Sequence, residues 1–215
     1  MSGEDEIWSA RLGDFREATA SAEPTPGGGS VAAVSGTLGL GLVIMALEIS
    51  VKRKDAVHPE ESRGLIEKAR GVMRELAGDA ENDVRAFRNY MAALKLPKES
   101  DEEKAWRKEA LQGATRGATE APLLAARHMV EGLRLAETAA PLAHRHVVSD
   151  VGAGTGLLEG ALKAVLFNVD VNLPGVSDAE KKAAWEQERA ALASQGGEIA
   201  SRVLGDIAER LAPRS

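Results

Sequence analysis

From Pro59 to Leu96 the apolar positions Leu65, Ile66, Ala69, Val72, Met73, Leu76, Ala80, Phe87, Met91 and Leu94 recur at helical steps. That period predicts one long amphipathic helix, ended by Pro97. The motif SDEE, Ser100 to Glu103, then supplies a capping box that restarts a helix through Trp106, Ala110 and Leu111. A second such box, Ser177 to Glu180, opens a charged terminal helix, and Pro122, Pro141 and Pro174-Gly175 predict kinks or joints in between. No internal repeat, low-complexity tract or Ser/Gly linker divides the pattern, so a single helical domain is expected over residues 1–215.

Val31 to Leu47, VAAVSGTLGLGLVIMAL, breaks the amphipathic rule because it carries no charge at all. An uncharged run near the lower length limit for a spanning helix suits a membrane. Yet Ser35, Gly36, Thr37, Gly39 and Gly41 make it small and only moderately hydrophobic, and basic residues flank one end only. The buried central helix of a bundle, close-packed through its glycines, needs the same letters and is the expected reading. The fold class expected is therefore all-α, a multi-helical bundle around a buried central helix.

His146 to Asn172 admits two incompatible readings. In one, Val147-Val148 closes a strand, Asp150 to Gly156 is a glycine-rich nucleotide loop, and Asp170 grips a ribose. That fingerprint needs further strands, but everything after Pro174 is a helical pattern rich in Lys, Glu and Ala, and nothing upstream alternates with period two. Read instead as a helix, Val147, Val151, Leu158, Leu162, Val165 and Val169 share one face, Gly152, Gly154, Gly156 and Gly160 offer a close-approach surface, and Asn168 and Asn172 point the same way.

The 215 residues carry a net charge of -6 and no cysteine. The acidic balance argues against a general nucleic-acid binder, since no broad basic face is available to displace counterions from phosphates. Without cysteine there is no disulfide framework or thiolate chemistry, which suits a reducing cytoplasm. The acidic amino terminus, MSGEDEIW, does not resemble a secretory signal, so a cytoplasmic protein is expected, bound to neither membrane nor nucleic acid.

Chemistry concentrates in few places. In EPTPGGGSVAA, Glu23 to Ala33, two prolines stiffen the approach, three glycines open the backbone, and Ser30 can cap the helix that follows. Bare amides at a helix amino terminus favour an anion or a carbonyl-rich ring, although a tight turn entering a buried helix would use the same residues. Asp83 lies on the apolar stripe, three after Ala80 and four before Phe87. A carboxylate held there has a raised pKa unless paired, and can trade protons near neutrality; the structural alternative is that it pairs with a basic residue or caps another helix. Lys52, Arg53 and Lys54 complement the carboxyl-terminal dipole of the apolar helix and stand where an anionic tail or a carbonyl could be met. His144 and His146 have no further His or Cys cluster around them, so no metal is expected.

Taken in order, PTPGGGSVAAVSGTLG, the basic trio, DVRAFRNYMAALKLPK with DEEKAWR, APLLAARH, and SDVGAGTGLLEGALKAVLFNVDVN resemble the carboxyl-terminal domain of the formiminotransferase-cyclodeaminase family, which includes stand-alone methenyltetrahydrofolate cyclohydrolases. The resemblance implies an all-helical homodimer with active sites near the subunit interface, acting on one-carbon-substituted tetrahydrofolate with no tightly bound cofactor. It also implies that Pro26, Gly27, Gly28, Gly29 and Ser30 form the substrate-proximal loop, Lys52, Arg53 and Lys54 the basic ligands, and Asp83 and Asp150 the catalytic carboxylates, with His144, Asn168 and Asn172 lining the site. Three positions depart from the pattern: Asp55 replaces an aromatic, Val51 a glycine, and His144 an asparagine. The implied reaction is hydrolysis of methenyltetrahydrofolate to formyltetrahydrofolate by carboxylate-assisted acid-base catalysis. The alternatives are cyclodeamination of formiminotetrahydrofolate with release of ammonia, or a non-catalytic helical module on the same scaffold.

Overall fold

The computed structural model describes residues 6–212, and among these it contains helices and no strand. Two short helices, α1 (Glu6–Ser9) and α2 (Leu12–Thr19), precede five long ones: α3 (Gly28–Val51), α4 (Pro59–Leu94), α5 (Asp101–Leu142), α6 (Val148–Asn172) and α7 (Ala179–Leu211). A 3-10 turn, Leu173–Gly175, joins α6 to α7. The all-α bundle expected from periodicity is what folds, and the nucleotide-loop reading of residues 146–172 falls with it. Asp170, the acid that reading assigned to a ribose, instead accepts two hydrogen bonds from Arg189 of α7, at 2.8 and 2.7 Å.

Helix α3, which carries the uncharged run Val31 to Leu47, is the centre, packed between α4, α5 and α6, with α7 laid over α5 and α6. Thirteen of its residues are buried, among them Leu40, Val43, Ala46 and Leu47, and they meet Leu76, Leu123, Met129, Leu133, Leu158, Leu162 and Val165 in one continuous core. Two glycines explain how closely α3 and α6 approach. A Cβ added at Gly154 would lie 2.4 Å from the Gly39 carbonyl oxygen, and one at Gly39 would lie 2.8 Å from the Gly154 carbonyl. Backbone rests on backbone there, and no side chain fits between.

Four local expectations are corrected. Pro122 and Pro141 do not divide α5, which runs through both. Pro122 has no N–H to give the Ala118 carbonyl, and the Asn172 side chain supplies the missing donor at 2.8 Å. The terminal helix is capped by Asp178, which accepts the Lys181 N–H, and not by Ser177. Gly156 and Gly160 approach nothing within the protomer, since a Cβ at either would meet open space. Finally, Met91 and Leu94 stand exposed because α4 runs on past the core.

One tie was not anticipated. Asp79 of α4, 4% exposed, lies 2.7 Å from Nδ1 of His128 on α5. That hydrogen bond, together with the Asp79 charge, raises the pKa of His128 against the opposing effect of burial.

The bundle also leaves a face uncovered. On α3, Leu38, Met45 and Ile49 are exposed in a stripe at helical spacing, and on the adjacent α6, Ala153, Gly156, Leu157, Gly160, Ala164, Phe167 and Val171 form a second one. Phe167 and Val171 are 66% and 78% exposed, unusual for an apolar surface that runs nearly the length of two neighbouring helices.

Candidate active site

The amino terminus of α3 needs acceptors for its first-turn amides, and Asp83 from α4 provides one. Gly27, not Ser30, is the N-cap, and its backbone alone offers no side-chain acceptor. Ser30 instead directs both its N–H and its hydroxyl at Oδ2 of Asp83, at 2.9 and 2.7 Å. Asp83 therefore caps another helix, as its structural alternative required, but this engages one carboxylate oxygen only. The other, Oδ1, takes no protein hydrogen bond among the described residues and borders a cleft of about 420 Å³. Burial pushes the Asp83 carboxyl above its usual range, and the hydrogen bonds from Ser30 oppose this only in part.

Pro24, Thr25 and Gly27 to Gly29 form one wall of the cleft, with Asp83, Phe87 and Tyr90 on a second and Asn168, Val171 and Asn172 on a third. Gly29 is required by space. A Cβ on it would fall 2.1 Å from Oδ1 of Asp83 and 2.6 Å from Nδ2 of Asn168, so carboxylate and amide meet across the bare backbone. Asn172 is fixed by donating to the carbonyls of Ala118 and Asn168, at 2.8 and 2.9 Å, which leaves its side-chain oxygen as an acceptor. A flat, partly cationic heterocycle would find there a carboxylate, amide partners and two aromatic rings.

The remaining expected residues are elsewhere. Lys52 to Lys54 follow the carboxyl end of α3, roughly 33 Å from Ser30 at 1.5 Å per helical residue. Arg53 there lines a separate cavity of about 350 Å³ with Asp55, His144, Arg145 and His146. Asp150 stands in the first turn of α6 at this same end, half-buried, so within one protomer Asp83 and Asp150 are not a pair. Pro26 sits between the cleft and a third cavity beneath α1 and α2, lined by Phe15, Glu81 and Val84. Phe87 and Tyr90 were missed as site residues, although they follow Asp83 by four and seven residues, which puts all three on one helical face.

The formiminotransferase-cyclodeaminase family profile matches residues 11–191, most of the chain. The chain belongs to this family. It is 34% identical over 198 residues to a methenyltetrahydrofolate cyclohydrolase of Methylorubrum extorquens, covering 92% of this chain and 95% of that protein. It is 33% identical over 203 residues to the chicken (Gallus gallus) formimidoyltransferase-cyclodeaminase, of which it spans 37%. The formiminotetrahydrofolate cyclodeaminase of Thermotoga maritima has the same fold, with a TM-score of 0.85 at 24% identity, over 96% of this chain and all of that one. Family members thus include both a protein of about this length and one about two and a half times as long, as the shares of 95% and 37% show.

Proposed function

We propose that the protein is a methenyltetrahydrofolate cyclohydrolase that works as a homodimer, with Asp83 as its proton-transferring carboxylate. The observation that carries this reading is the half-capped state of Asp83: one oxygen is fixed by Ser30 while the other faces the cleft, in a carboxyl whose pKa is raised. The similarity to a cyclohydrolase of nearly the same length supports the choice of reaction.

The substrate's methenyl carbon sits between two nitrogens that share a positive charge. An ionised Asp83 beside it stabilises that charge and takes a proton from the attacking water, giving a tetrahedral carbinol. Asp83 then gives that proton to one ring nitrogen as its bond to the carbon breaks, and the carbinol oxygen releases its own proton to solvent as the C=O bond forms, leaving a formyl group on the other nitrogen. The electrophile is part of the substrate, so the step requires no cofactor. Asn168 and the free oxygen of Asn172 orient the heterocycle, and Phe87 and Tyr90 supply flat apolar contact.

The basic end completes the site through a second copy of the chain. The exposed stripes of α3 and α6 run between the two ends, and a two-fold axis across their middle sets each protomer's Asp83 end against its partner's Arg53 and Asp150 end. Gly41, Gly156 and Gly160 lie on these two helices with open space at their Cβ, which leaves room for close approach of a second backbone.

The test compares methenyltetrahydrofolate and formiminotetrahydrofolate side by side, following loss of methenyl absorbance in one assay and ammonia release in the other, with uncatalysed hydrolysis subtracted. Faster hydrolysis is expected. A higher specificity constant for ammonia release would make the protein a cyclodeaminase, and inactivity with both would leave a binding module.

A further inference from the structure

The cavity at the carboxyl end of α3 has six ionisable side chains in its wall, Arg53, Asp55, His144, Arg145, His146 and Arg210, and only one of them is an acid. Arg210 is committed, donating to the carbonyls of Ala140 and Ala143 at the end of α5. Asp55 occupies the two donors best placed for an anion: its Oδ1 accepts from Nε of Arg53 at 3.0 Å, and its Oδ2 lies 3.5 Å from Nε2 of His144.

The His144 ring is oriented for that contact. Its backbone N–H is tied to the Ser50 hydroxyl at 2.8 Å, and its Nδ1 accepts the backbone N–H of His146 at 3.2 Å. With Nδ1 acting as acceptor, the neutral ring carries its proton on Nε2, on the side of Asp55. The imidazole is only 16% exposed whereas the Asp55 carboxylate is 62% exposed, on the connector between α3 and α4. The imidazole donor is therefore held in place, while Asp55 and the 40%-exposed Arg53 side chain that it pairs with are both open to solvent. An exposed pair between residues two apart in sequence is weak, so an incoming carboxylate can replace it.

We infer that Asp55 is an internal competitor at a carboxylate site made by Arg53 and His144, so that a carboxylate-bearing tail enters this end of the binding site only by displacing the chain's own carboxylate. Asp55 thereby sets the preference for tail charge: a single carboxylate merely exchanges for it, while an oligocarboxylate also reaches Arg145 and the neighbouring Lys52 and Lys54. The inference takes from the folate reading only the identity of the tail, a short glutamate chain.

Calorimetric titration with γ-linked triglutamate at constant ionic strength tests it, using the wild type, Asp55→Asn, Arg53→Gln and the double variant. Asp55→Asn should bind roughly three- to tenfold more tightly than wild type, the scale on which an exposed ion pair competes. In the Arg53→Gln background the same change should matter less than about twofold, because the shared donor is gone. Equal affinity of wild type and Asp55→Asn overturns the inference, and so does a gain that survives in Arg53→Gln, since that gain would reflect diffuse charge and not occupation of the donors. The methenyl assay run in parallel separates the two claims. Tighter triglutamate binding without hydrolysis sinks the proposed reaction alone, and hydrolysis without the gain sinks the role of Asp55 alone.

Discussion

At the scale of single residues, Asp83 has two jobs that substitution can separate. Asp83→Asn keeps an oxygen to accept from Ser30, so the cap survives, yet it removes the ionisable group facing the cleft. Turnover should fall by roughly two to four orders of magnitude with the melting temperature nearly unchanged. A structural Asp83 predicts the opposite, lower stability with unchanged activity per folded molecule. Because burial raises its pKa, the carboxylate base is lost at a higher pH than usual for an aspartate: kcat/KM should decline on the acid side from above the ordinary carboxylate range, and Asp83→Asn should abolish that limb. Gly29→Ala probes the same site through space. Its methyl group would stand within 2.1 Å of Oδ1, so carboxylate or helix must shift, and a misplacement of this size costs about a hundredfold in rate. Asp83 was legible in the sequence because a charge interrupts an apolar stripe. Asp79 occupies the same stripe, but its partner His128 is 49 residues away, a distance over which pattern carries no information.

Among the elements, the helices themselves were readable from the period of apolar residues, and the errors came where tertiary contacts override local signals. Pro122 reads as a break, yet α5 continues because Asn172 from another helix satisfies the carbonyl that the proline abandons. The glycines of α6 look alike in sequence and differ in space. Gly154→Ala would drive a methyl group to 2.4 Å from the α3 backbone and should cost about 1–3 kcal/mol in chemical denaturation, the range for overpacking. The α4–α5 pairing carries a pH signature of its own. The pKa of His128 is raised in the folded state, so the stability it contributes is fully present below the unfolded histidine value of about 6.5 and is lost as the pH rises through the folded value. His128→Ala should flatten the stability profile in the window above pH 6.5. It should also leave Asp79 buried without its partner, at about 1–3 kcal/mol. An unchanged profile in the variant would mean that the imidazole does not titrate on unfolding.

For the whole molecule the question is why chemistry expected of one site lies at two ends of a bundle. The sequence order of the motifs gives no hint of this, because antiparallel packing of α3 against α6 brings the start of one helix to the end of the other: Gly29 meets Asn168, while Ser50 meets His144. In the proposed homodimer a second copy turned end for end would reunite the halves across the exposed stripes. Phe167→Glu places a charge on that surface and should yield a folded monomer by light scattering, inactive although its own Asp83 is unchanged. Complementation discriminates further. If each site takes Asp83 from one protomer and Asp150 from its partner, then in a mixed dimer of Asp83→Asn and Asp150→Asn one site carries both substitutions and the other carries none. Equal amounts of the two variants, unfolded and refolded together, give mixed dimers in half of all pairings, each with one intact site of two. Two nearly inactive proteins should therefore recover about a quarter of wild-type activity, as two-fold symmetry and random pairing require. Sites contained within single protomers would recover nothing, because every protomer in the mixture carries a lesion.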